Sequence, residues 1–212
     1  MSTPADPFTL ARWRRTVAAL YATLREDTGD RVAQAARFRA ARDALFRDDV
    51  QSPIAPARRK GYSGVPYYPY DPAWRVAGRI SSVAPRAAFE IDLAADGTLR
   101  CTKVGQASFT TPRGDGTLAL YWIEGYGGGL WLPFADATSG QATYGGGRYL
   151  YDTIKGADLG VDGRTIVLDF NHAYNPSCAY DEAWSCPLTP AENRLPFAVE
   201  AGERIPQSVT RP

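Results

Sequence analysis

The chain is poor in the side chains on which metal and cofactor chemistry most often rests: its 212 residues include one histidine and three cysteines. His172, Cys178 and Cys186 are spaced like no standard zinc finger or ribbon, so no metal is expected. No Gly-Lys-Ser/Thr and no helical pattern follow the glycine runs, which excludes a P-loop and a dinucleotide fingerprint and implies no cofactor. Long apolar runs are missing as well. No window approaches the roughly 18 apolar residues of a membrane span. The opening MSTPADPFTL lacks the basic-then-apolar layout of a secretory signal, so a cytoplasmic protein with reduced thiols is expected. Lysine is limited to Lys60, Lys103 and Lys155, a bias toward arginine that carries no functional weight.

Charge is near balance but divided along the chain. Residues 1–60 hold 12 Arg and Lys against 7 Asp and Glu, whereas residues 61–212 hold 12 against 16. The arginines of the basic half, among them Arg12, Arg14, Arg15, Arg37, Arg39 and Arg42, accompany no recognition motif, so neither nucleic acid nor membrane is an expected partner. Leu10, Trp13, Val17, Leu20, Tyr21 and Leu24 recur at helical spacing behind an Asp6-Pro7 cap, which predicts a helix ending near Thr28-Gly29. Val32, Ala35, Phe38, Leu45 and Phe46 continue the pattern from an Asp30 cap to about Asp49. Residues 1–50 therefore form one bent or two amphipathic helices, neither able to stand alone.

Residues 51–74, rich in Pro, Gly and Tyr, read as a linker loop. From residue 75 the pattern changes to short runs rich in β-branched and aromatic residues: WRVAGRI, AAFEIDL, TLRCTKV, ASFTT, TLALYWIEGY, LWLPF, RYLYD and RTIVLDF. Turn cues such as Arg113-Gly114-Asp115-Gly116 and Val161-Asp162-Gly163-Arg164 separate them, with no helices between. The fold class is mainly β with N-terminal helices (α+β): an antiparallel β-barrel or β-sandwich meander over 75–212, the whole forming a single globular unit. The proline-rich tail from Pro187 should lie irregularly over the sheet. A local repeat, YGGGLWLPF at 126–134 and YGGGRYLYD at 144–152, places strands after triple glycines, where close backbone approach or a bulge explains glycine better than a ligand cradle does.

Residues 169–180, DFNHAYNPSCAY, concentrate the polar chemistry. Strand alternation through RTIVLDFN puts Asp169 and Asn171 on one face and turns His172 to the other, if the strand persists. The apolar run Ile166-Val167-Leu168 implies burial on both faces, so Asp169 must find donors or act as an acid, base or anchor at a strand-end pocket. Arg148 can serve as its ion-pair partner or as an anion clamp. Asn171 and Asn175 either brace the loop through turns or orient a ligand. Cys178 is a free thiol eight residues from Cys186, and Glu192 and Asn193 sit in a proline-stiffened segment that would present them at a fixed place.

Taken together, TYGGGRYLYD, LDFNHAYNPSCAY, CPLTPAEN and the closing AGE resemble a widespread prokaryotic family of unknown function, with similarity running from the Trp13 helix to Glu203. The resemblance implies that Arg148, Asp169, Asn171, Asn175, Cys178, Tyr180, Glu192 and Asn193 occupy recurring motif positions, and it brings no reaction with it. The functional expectation is a small-molecule-binding β domain that performs cofactor-independent acid-base or hydrolytic chemistry near Asp169. Asp169, Tyr180 and Glu192 are the catalytic candidates, with Arg148, Asn171, Asn175, Asn193 and Cys178 contacting an anionic or neutral small-molecule ligand. The alternative is a non-catalytic interaction protein that docks a partner through the basic helices or the aromatic loop from Tyr62 to Trp74.

Overall fold

A computed structural model describes residues 6–84, 88–93 and 96–206. Two separate helices form the N-terminal part, α1 (Pro7–Glu26) and α2 (Arg31–Asp48). Each begins at a predicted aspartate: the Asp6 carboxylate accepts from Phe8 N, and that of Asp30 from Val32 N and Ala33 N, satisfying amides with no partner inside the helix. Among the described residues neither helix is long and apolar enough to cross a membrane.

The β part is the expected meander, realised as one curled antiparallel sheet, a half-barrel. Its strands are β1 (Arg75–Ser82), β2 (Ala88–Asp92), β3 (Thr98–Thr111), β4 (Gly114–Ile123), β5 (Gly129–Phe134), β6 (Arg148–Asp152), β7 (Val161–Asp162) and β8 (Thr165–Asp169). They lie in the order β6-β5-β4-β3-β1-β8-β7, and β2 pairs with the first half of β3. The runs TLRCTKV and ASFTT, predicted as two strands, are one continuous β3 with a register shift between Lys103 and Gly105, where a bulge absorbs the extra residue. The sheet curls far enough that the Tyr151 phenol of β6 lies 2.7 Å from the carbonyl of Val167 in β8.

Both faces of the middle strands are covered. On the concave side Tyr21, Leu24 and Phe38 of the helices meet Leu118, Leu120, Leu132, Phe134, Leu150 and Phe170. On the opposite side Cys101, Tyr121, Ile123, Trp131 and Tyr149 form a second cluster, which explains why all five residues of β6 are buried. At roughly 1.5–3 kcal/mol for each large apolar side chain removed from water, these clusters supply the main drive for folding. The aromatic loop turns inward: the Tyr62 phenol donates to Asp43, and Trp74 is buried in the concave core.

The tail crosses the sheet outside the named strands, held by isolated backbone bridges of Arg194 to Ala135 and of Glu203 to Tyr67 and by buried side chains. Asn193, fully buried, accepts from Ala119 N at 2.8 Å and donates to Ala119 O at 2.9 Å and Pro133 O at 2.7 Å. It therefore substitutes for a neighbouring strand over β4 and β5. Gly147, from the second triple glycine, has φ +90°, and a Cβ there would come within 2.7 Å of the Phe134 carbonyl, so close backbone approach dictates glycine. Replacing Asn193→Ala should strip three bonds from buried backbone and lower stability by about 2–4 kcal/mol in urea denaturation, with the slope unchanged; an unchanged midpoint would remove the tail's claim to hold the sheet.

Candidate functional site

The polar segment that began as the candidate site is divided by the fold into separate places. β8 ends at Asp169, whose Oδ1 accepts from Asn171 N at 3.1 Å and so caps a short 3-10 turn, Phe170–His172. Alternation stops there, which overturns the expected orientation of His172: the turn brings its Nε2 to 3.9 Å from Asp169 Oδ2, with the ring edge-on to Phe38. Asp169 pairs not with Arg148 but with Arg75, its cross-strand neighbour on β1, at 3.0 Å. Asn171 grips the linker loop, accepting from Asp71 N and donating to Asp71 O and to Asp169. Asp169 and Asn171 are thus occupied in joining β8, β1 and the linker.

Arg148 is equally engaged. It is buried, paired with Asp136 at 2.7 Å, and donates to the carbonyls of Val199, Ala201 and Glu203. Burial pulls its guanidinium below the ordinary value, and the Asp136 charge opposes that pull. Glu192 lies toward the opposite face of the sheet, held by Lys103 and by the Tyr121 phenol at 2.7 Å.

Asn175 and Tyr180 meet around a residue not singled out in the sequence, Glu203. This carboxylate is fully buried; Oε1 accepts from Arg42 Nε at 2.5 Å and the Tyr67 phenol at 3.2 Å, and Oε2 from Asn175 N and the Tyr180 phenol, both at 2.7 Å. Burial pulls on Arg42, but Glu203, with the surrounding tyrosines, holds it protonated well above its usual range. Burial, reinforced by Glu203, likewise raises the Tyr180 phenol well above its ordinary value, so it stays a neutral donor. The available signal for Glu203 was the closing AGE: Gly202 has φ +76°, and a Cβ there would lie 2.6 Å from the carbonyls of Phe170 and Ala173. Glycine is thus required where the tail passes this close to the loop, and the next residue's N–H bonds to the Ala173 carbonyl.

Above this network lies a cavity of about 300 Å³ between α1 and the segment from Tyr174 to Cys186. Its apolar lining includes Trp13, Phe46, Tyr149 and Trp184; its polar lining includes Arg14, Arg42, Lys155, Asn175 and Tyr180. Asn175 Oδ1 and the Tyr174 hydroxyl are buried without a hydrogen-bond partner among the described residues. Of the predicted site residues, Asn175 and Tyr180 line this cavity, and Cys178 stands behind its wall, its N–H donating to the sulfur of wall residue Cys186 at 3.3 Å. Asp169, Arg148, Asn171, Glu192 and Asn193 are not among its lining residues.

A family described as "Protein of unknown function (DUF1684)" matches residues 60–204. The chain belongs to this family. The matched stretch takes in the whole sheet, the Tyr174–Cys186 wall and Glu203, and it begins after the two helices, whereas the sequence resemblance was read from Trp13 onward. The chain is also similar to an uncharacterized protein of Haloarcula marismortui whose solution NMR structure is known. The two are 36% identical over 84% of this chain and 96% of that one, with a TM-score of 0.60. No protein of curated function matches.

Two predictions follow from the buried charges. Arg148→Met should cost about 3–5 kcal/mol, because Asp136 would be left buried and unpaired; adding Asp136→Leu should recover part of that loss in the same denaturation series, whereas additive losses would show that the pair does not interact. Burial, opposed by Asp169, lowers His172 to about 4. The unfolded chain, with His near 6.5, binds a proton that the folded chain refuses, so stability present above pH 6.5 is lost as pH falls toward 4. Urea titrations at pH 7 and pH 4.5 should show a loss of about 2–3 kcal/mol that His172→Gln largely abolishes.

Proposed function

We propose that this protein binds a small anionic amphiphile, a molecule with an apolar body and a carboxylate- or phosphate-type head, in the cavity between α1 and the Tyr174–Cys186 wall. The observation that carries this reading is the composition of the lining: a broad aromatic surface together with three cations, Arg14, Arg42 and Lys155, and no Asp or Glu among the described lining residues. An apolar body gains roughly 25 cal/mol for each Å² it removes from water there, and a charged head gains charge-assisted hydrogen bonds. Among the described residues Arg42 uses only its Nε–H, toward Glu203, leaving its terminal amino groups for an anion. The unpartnered Asn175 Oδ1 supports a ligand that also carries a hydroxyl or amide donor.

The same geometry favours binding over acid-base catalysis at Asp169. Asp169 lies outside the cavity lining with its oxygens taken by Arg75 and Asn171, and Tyr180 is a neutral phenol already donating to Glu203. The inward bonds of Tyr62 and Tyr67 likewise weaken the reading of the aromatic loop as a docking arm.

Trp13 and Trp184 both line the cavity, so their fluorescence reports its occupancy. Titration with decanoate should give a saturable change, with affinity about tenfold above that for decanol, a difference of about 1.4 kcal/mol for the charged head. Arg14→Ser combined with Lys155→Ser should reduce decanoate affinity about tenfold and leave decanol unaffected. Equal binding of acid and alcohol would overturn the anionic head, and no saturable change with either would overturn the cavity as the site.

A further inference from the structure

The wall of the cavity contains a feature that ligand binding does not use. Cys178 and Cys186 are both free and half-buried, whereas Cys101 is fully buried inside the sheet. The short turn Ser177–Ala179 folds the chain back so that the Cys178 N–H donates to Cys186 Sγ at 3.3 Å. The Tyr144 hydroxyl donates to Cys178 Sγ at 3.5 Å from the other side. Cys178 therefore has one O–H donor directed at its sulfur and a second thiol held against its own backbone nitrogen, an arrangement that favours the thiolate and places a partner thiol beside it.

We propose that Cys178 and Cys186 form a redox-active dithiol that reduces a hydroperoxide, with Cys178 as the nucleophile and Cys186 as the resolving thiol. The Cys178 thiolate attacks the peroxide oxygen, the O–O bond breaks, and the departing alkoxide or hydroxide takes up a proton, leaving a sulfenic acid on Cys178. The Cys186 sulfur then attacks Cys178, its own proton leaving with the sulfenic oxygen as water. In sum, two thiols and one hydroperoxide yield one disulfide, one water and one alcohol, or a second water when the oxidant is hydrogen peroxide; the sulfurs lose two electrons and the peroxide gains them.

The electrostatics agree with these roles. The Cys186 thiol, and after burial is offset the Tyr144 hydroxyl, bring Cys178 down to about 6, while Cys186 itself is raised chiefly by its bond to Cys178. Burial pushes Cys101 up to about 11, which makes it a built-in control. At neutral pH Cys178 is mostly thiolate and Cys101 almost wholly thiol, so a difference in reactivity on the order of a hundredfold or more is expected. Because Trp184, Ser185 and Cys186 line the cavity, closing the disulfide would also fix that wall, a consequence that rests on the proposed binding site.

The test uses the reduced full chain with a stoichiometric amount of hydrogen peroxide at pH 7, followed by thiol counting after denaturation and peptide mapping. Expected are loss of two of the three thiols, a cross-linked 178–186 peptide restored by dithiothreitol, and an unmodified Cys101. In Cys186→Ser the reaction should stop at a sulfenic acid on Cys178 that dimedone traps. Tyr144→Phe should move the pH midpoint of Cys178 alkylation upward, a change that a merely structural role would not produce. Three thiols surviving excess peroxide, Cys178 passing to the sulfinic acid with no cross-link, or Cys178 reacting no faster than Cys101 would each overturn the proposal. None of these readings involves the cavity ligand, so failure of the dithiol and failure of the binding site are distinguishable; decanoate affinity of the oxidised chain then reports the coupling.

Discussion

Glu203 sits at zero exposure with its carboxylate held by Arg42 of α2, Tyr67 of the linker, and Asn175 and Tyr180 of the loop after β8. A carboxylate can remain in such a place only if its hydrogen-bonding capacity is met, because desolvating an ion costs several kcal/mol and removing any one partner leaves the remainder buried and uncompensated. Four elements distant in sequence must consequently arrive together. The demand is reciprocal: Arg42, stacked over Phe46 with its guanidinium 4.5 Å from the ring centroid, has no acidic partner other than Glu203 among the described residues.

Arg148 imposes a matching constraint from the sheet side. Its guanidinium binds Asp136 and the three carbonyls at Val199, Ala201 and Glu203, so the tail passes between two arginines, one on β6 and one on α2. Buried ion pairs are weak sources of net stability, but they discriminate strongly among arrangements, since a misplaced tail would strand two charges in an apolar interior. The helices gain their fixed position by the same means: α2 is tied through Arg42 to a tail that is itself tied to β6. The cavity is what remains between α1, held on the sheet by Tyr21 and Leu24, and the loop drawn toward Glu203.

Much of this architecture could be read from residue patterns. The capped helices were legible because Asp6 and Asp30 stand immediately before helical periodicity, and most strands because β-branched and aromatic runs alternate with Gly-containing turns. The site was harder to read for physical reasons. Alternation predicts side-chain direction only while the strand lasts, and Asp169, by capping the next turn, ends the strand at the residue where orientation mattered most. Arg75 could be assigned to Asp169 only through the register of β1 on β8, which no local pattern encodes. Arg42 looked like one solvated arginine among several, and Glu203 like part of a polar tail, because the partner of each is 161 residues away.

The density of polar residues in DFNHAYNPSCAY therefore marks a demand for hydrogen bonds before it marks chemistry. Asp169 and Asn171 meet that demand internally, as does Asn193 in the tail, and side chains whose capacity is filled by backbone have little left for a ligand. Availability separates them from the atoms around the cavity. Among the described residues Asn175 uses its amide nitrogen on the Arg204 carbonyl while its Oδ1 goes unpartnered, Arg42 keeps terminal donors uncommitted, and the Cys178 N–H meets the sulfur of wall residue Cys186. In this fold a structural polar group and a functional one differ less in residue type or burial than in how much bonding capacity the packed chain has left unused. By that criterion the centre of interest moves from the strand end at Asp169 to the loop that follows it, where the unfilled acceptor of Asn175 and the neighbouring Cys178 and Cys186 lie on one short segment, beside the guanidinium that α2 contributes to the cavity.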